Sequence, residues 1–190
     1  MDETSVTLQA DRHASLPARP GSVRREDPEY VRGGSANLFV TYAPHLGWRH
    51  VSTAPRRTAV DWAIAMREVI DTYFPTATRI IVVCDNLNIH QISSFYAAFP
   101  ATEAHRLARI VEFRKTPTHG SWLNMAEFEI SVLKRQVLHQ RLGDLATLTE
   151  AVSAWEADRN AVAAPARWQF TTEQARVRLP FLYPDLQQQE

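Results

Sequence analysis

The segment Ile80 to Cys84 reads I-I-V-V-C and stops abruptly at Asp85, behind which polar residues crowd in. An apolar run without alternation predicts a strand buried on both faces. Upstream, Val6 and Leu8 alternate with polar residues, predicting a strand over Glu3 to Leu8. Asp11 to Gly34 is rich in Pro, Gly and Arg and reads as a long loop, a length that compact domains keep for functional or disordered segments. Ala36 to Tyr42 and Trp48 to Thr53 read as a hairpin turning through Pro44 and Gly47. Apolar positions at Val60, Ile64, Val69, Ile70 and Tyr73 carry helical spacing from Thr58 to Phe74, and Pro75 stops it.

Beyond Asp85 the pattern predicts short helices over Ser93 to Phe99 and Glu103 to Ala108, then a strand over Ile110 to Lys115. A helix from Ser121 to His139 follows, with Ser121 as its cap, then helices over Leu145 to Ala161 and Thr172 to Leu179. Three tightly joined strands followed by two reached through helices predict an α/β fold, a mixed five-stranded sheet flanked by helices.

Two acids fall where chemistry is expected. Asp85 ends a strand at its carboxyl side, where open α/β sheets place their ligands. Glu127 lies on the long helix. On a helical wheel Asn124, Ser131 and Lys134 fall within about 60° of it, a polar seam between two apolar faces. Trp122, Ala126, Ile130, Leu133 and Val137 form one of those faces, which makes Trp122 a core anchor. Met125, Phe128 and Val132 form the other, and Glu129 points away from the seam. Asp2 sits one residue from the start. Hard cations that assist phosphoryl transfer need carboxylates and waters, without His or Cys ligands.

Composition narrows the partners. The 190 residues suit one domain, and no apolar run is long enough to span a membrane. The single Cys84 excludes an internal disulfide and a cysteine-built zinc site, so a cytoplasmic setting is expected. Net charge is zero, but Arg12 to Arg57 carries eight arginines against Glu26, Asp27 and Glu29. Lys115 and Lys134 are the only lysines, so the positive charge is almost all guanidinium, suited to phosphate. Arg24 and Arg25 are candidate DNA contacts. His90 and Asn88, close behind Asp85, are candidates to orient a metal shell or a scissile phosphate, and His119 lies near the long helix. A Ser/His hydrolase built on His119 lacks the G-x-S-x-G elbow, and neither a P-loop nor a dinucleotide fingerprint is present.

Six strings in order, M-D-E-T, A-N-L-F, G-W-R-H-V, R-R-T-A-V-D, C-D-N-L-N-I-H and T-P-T-H-G-S-W-L-N-M-A-E-F-E-I-S-V-L, closely resemble the DDE transposases of mariner-like bacterial insertion sequences. The resemblance runs over nearly the whole chain. It implies a single catalytic domain over residues 1–190 with a ribonuclease-H-like fold. It also implies a metal-dependent DNA endonuclease and polynucleotidyl transferase, with Asp2, Asp85 and Glu127 as catalytic acids holding two Mg²⁺ or Mn²⁺ ions. Its expected partners are element ends, target DNA and a second copy of the chain, with the Arg-rich loop as a dimer clamp. Such transposases carry an N-terminal helix-turn-helix that these residues do not include. The strand bearing Asp2 is expected to be truncated. The alternative reading is an inactive remnant that only binds DNA or a partner transposase.

Overall fold

A computed structural model describes residues 1–23, 25, 28–117, 120–167 and 169–178. Among the described residues, three strands come first and two more follow between helices, with six α-helices in all. The strands are β1 Asp2–Asp11, β2 Tyr30–Ala43, β3 Trp48–Ala54, β4 Ile80–Cys84 and β5 Val111–Lys115. The helices are α1 Ala59–Glu68, α2 Ile92–Ala98, α3 Ala101–Ile110, α4 Met125–Gln136, α5 Leu145–Val162 and α6 Thr172–Arg178. All predicted elements are present, most within a residue or two of their expected ends. Thr58 caps α1 in a reciprocal box with Asp61, and a π-helical turn, Val69–Tyr73, carries the helix on toward Pro75.

The single five-stranded sheet does not form. β1, β2 and β3 make an antiparallel sheet in that order, while β4 and β5 pair in parallel as a separate ribbon. β1 starts beside the end of β4 and runs away from it along β2. Just ahead of β1, the Met1 ammonium donates to the Val83 carbonyl of β4 at 2.8 Å. Opposite β4 lies an apolar cleft of about 510 Å³, lined in part by Met1, Tyr42, Trp48, Ile81 and Leu123. β4 is therefore buried on one face, with Ile81 and Val83 exposed on the other. The long helix α4 packs on β1 and β2.

β1 is longer than expected and is held at its start, with Met1 buried. The Arg-rich segment is shorter than a 24-residue loop, because β1 and β2 extend into it as far as Asp11 and Tyr30. Gly33 bulges from that ladder, where a Cβ would collide with the Gly143 carbonyl.

Strand alternation sends side chains of the antiparallel sheet into two cores. Phe39 joins Trp62, Met66, Ile70, Phe95 and Leu107 beneath α1, α2 and α3. Leu8, Leu38, Val40 and Val51 join Ile130, Leu133, Leu148 and Val152 beneath α4 and α5. The outer edge of β3 is closed by α5. The Asn160 side chain accepts from the Arg49 amide at 2.9 Å and donates to its carbonyl at 2.8 Å, and Glu156 accepts from the Val51 amide at 2.8 Å.

Candidate active site

β1 alternation sets the geometry. Asp2 faces across from Val40, on the α4 side of the sheet, whereas Glu3 faces across from Phe39, on the α1 side. The amino end of α4 delivers Glu127 to the Asp2 side. Burial, first, and then the nearby carboxylates of Glu3 and Glu127 push the Asp2 carboxyl up to about 6, against an opposing hydrogen bond from the Glu3 amide. Two acids of the expected three are thus near enough to repel.

Asp85 follows β4 and is half-buried. Its Oδ1 accepts from the Leu87 amide at 3.0 Å and lies 2.9 Å from His90 Nδ1. His90 Nε2 in turn lies 2.6 Å from Glu3 Oε1, and both the His90 and Glu3 side chains are fully buried. Burial opposes a charge on this imidazole, yet hydrogen bonds to Cys84 and Glu3 outweigh it and push His90 up to about 10. Lys115 Nζ donates to the carbonyls of Asp85 at 3.1 Å and His90 at 2.6 Å, closing the turn between them.

Asn124 is not part of an exposed seam. It is the buried cap of α4, its Oδ1 accepting from the Ala126 amide at 3.1 Å and its Nδ2 donating to the Met1 carbonyl at 3.0 Å. It replaces Ser121 in that role, because Ser121 to Leu123 form a 3₁₀ turn ahead of the helix. Trp122 sits in that turn with its ring half exposed against Phe170, so it does not anchor the core. Glu129, opposite the seam, is buried in an ion pair with Arg49 at 3.2 Å and Arg159 at 3.1 Å. Lys134 is exposed and does not pair with Glu127, being two turns away on the helix. Asn88 and Arg25 are exposed, while Arg24 and His119 lie outside the described residues.

The donor set at Asp2, Asp85 and Glu127 is all carboxylate oxygen, the chemistry that Mg²⁺ and Mn²⁺ favour. Among the described residues, however, no three His, Cys, Asp or Glu side chains gather closely enough to hold a metal ion. Asp85 Oδ1 is engaged by His90 and the Leu87 amide.

A family model described as DDE superfamily endonuclease matches residues 1–149, which takes in every one of these acids. The chain belongs to that family. Membership brings a nuclease of the transposase type, a family that acts on DNA and generally uses divalent metals. Comparisons with curated proteins and with solved structures return no match. Among the described residues, no helix of this DDE endonuclease is long and apolar enough to cross a membrane. The role of Glu3 was missed in the sequence. Its signal was the pair Asp2-Glu3 itself, since neighbours in a strand point to opposite faces.

Proposed function

We propose that residues 1–190 form the catalytic domain of a transposase of the mariner-like insertion-sequence type. It cuts DNA at the ends of an element and joins the freed 3′ hydroxyl to a target. The observation that carries this reading is the surplus of carboxylate at one end of the sheet. Asp2, held up to about 6 beside Glu3 and Glu127, is a destabilised anion that a cation would relieve. Asp85 supplies a further carboxylate from the end of β4.

Asp2, Asp85 and Glu127 would hold Mg²⁺ or Mn²⁺. The chemistry of a site so loaded is activation of the attacking oxygen and stabilisation of the leaving one. The chain's own residues do the rest. β1 and α4 fix Asp2 and Glu127 on one face, with Asn124 tying the start of α4 to the start of β1. Exposed Arg25 and Lys134 meet DNA phosphates, and a second copy of the chain completes the working complex.

A second reading, binding without cleavage, draws on the orientation of Asp85. One oxygen of Asp85 is engaged by His90, and among the described residues no three such side chains gather closely enough to hold a metal ion. Nicking of supercoiled DNA by the 190-residue chain in Mn²⁺ separates the two. Under the first reading wild type nicks, and Glu127→Gln loses at least about a hundredfold in rate while its thermal unfolding stays within a few degrees. DNA binding without nicking, at any Mn²⁺ concentration, leaves the second.

A further inference from the structure

Glu3 is an acid with no evident business in a core. Its side chain is fully buried on the Trp62 side of the sheet, and its Oε2 has no hydrogen-bond partner. A buried carboxylate is costly unless it is paired. Its partner is His90, at 2.6 Å through Nε2, with the imidazole packed 5.7 Å from the Trp62 ring. The other ring nitrogen meets Asp85 at 2.9 Å. One imidazole therefore links a carboxylate inside the fold to one at its surface. Asp85 Oδ1 takes both the His90 contact and the Leu87 amide, while Oδ2 takes no hydrogen bond from the described residues. The turn that presents these groups is closed by the His90 amide donating to the Leu87 carbonyl at 3.1 Å and by Lys115.

We propose that Glu3 and His90 are a positioning pair for Asp85. Glu3 grips the ring from behind the sheet, and the ring fixes the Asp85 carboxylate so that one oxygen is engaged and the other stays free as a single-oxygen ligand. The inference rests on the reading of Asp85 as a cation-holding acid. A ligand whose orientation is fixed by a buried partner binds without losing side-chain freedom, which is why such supporting contacts weigh on affinity.

The two ring nitrogens allow the test to be split. In His90→Asn the amide nitrogen falls near the position of Nδ1 and keeps a donor for Asp85. In His90→Gln it falls near Nε2 and keeps the Glu3 contact alone. Mn²⁺ affinity is read by electron paramagnetic resonance with the metal alone, beside a thermal melt of each variant without metal. His90→Gln is expected to weaken Mn²⁺ binding about ten- to a hundredfold, and His90→Asn to recover a good part of that loss. A merely structural role would lower both melting temperatures and leave the affinity of the folded protein unchanged, and that result overturns the pair.

If His90→Gln does not fold, Asp85→Asn carries the test at an accessible site. The ring nitrogen resonances of His90 must shift in that variant, and unmoved resonances overturn the proposal. A wild-type chain that binds no Mn²⁺ removes the reading of the site and this pair with it. Equal Mn²⁺ binding by wild type and His90→Gln removes the pair alone.

Discussion

Glu127 and Glu129 stand two residues apart on α4 and live in opposite electrostatic settings. Glu129 is buried between Arg49 and Arg159, and the neighbouring Glu156 is matched by His50, so the α5 side of the molecule is a closed account of charge. Glu127 lies near Asp2, whose neighbour Glu3 is linked to Asp85 through the His90 imidazole. The Met1 ammonium offsets part of this at Asp2, although its own burial, against the nearby acids, draws it below its ordinary value. Where the fold needs charge for itself it balances the charge. Where carboxylates outnumber their partners, the imbalance marks a place built for something not supplied by the chain.

That contrast can be broken at each end. The largest effect belongs to the balanced side. Glu129→Gln leaves Arg49 buried without its counter-ion and is expected to cost about 3–5 kcal/mol in urea unfolding. Glu127→Gln is expected to change stability by less than about 0.5 kcal/mol. Comparable losses in the two variants would erase the distinction.

Next in size is Asp2. Its raised pKa means that the folded chain holds the proton more tightly than the unfolded one. Stability is then highest below about pH 4 for this group and is lost as pH rises through about 6. Asp2→Asn removes the penalty and should raise stability at pH 8 by about 1–2 kcal/mol, allowing for solvent screening. A destabilised Asp2→Asn would show that the acid is needed for folding.

The smallest effect is at His50. Burial would lower its pKa, but Glu156 and then Glu68 more than offset that, and the net shift is upward. Its contribution is complete below its ordinary value near 6.5 and is lost as pH rises through the folded-state value. Melting temperature should therefore fall across that window in wild type, and Glu156→Gln should flatten the slope.

The same contrast explains what could be read from the residues. Asp85 was legible because an apolar strand ending in an acid is a local pattern, and β4 ends where that pattern says. Thr58 to Pro75 was legible for the same reason. The burial of Glu129 was not, since the wheel carries no word of Arg49, eighty residues upstream on another strand. Asn124 was legible as a polar position beside Glu127 but not as the cap of α4, because its bond to Met1 depends on how β1 meets α4. The single sheet was inferred from strand order, which says nothing about where β1 begins to run beside its neighbour. The expected convergence of Asp2, Asp85 and Glu127 came from resemblance, and no local pattern connects Asp85 to the buried Glu3 that shares its His90 partner.

The closing of the β3 edge by α5 has a consequence for how the molecule stays separate from its copies. An open edge strand is a template on which any other extended chain can grow, and here Asn160 imitates the next strand with a single amide. The two residues that do this, Glu156 and Asn160, lie beyond the region matched by the family, which ends at residue 149. The tail of the domain thus acts as a stopper. A chain cut at residue 149 would bare two backbone amides and a carbonyl of β3 at once, an open edge on which another extended chain can pair.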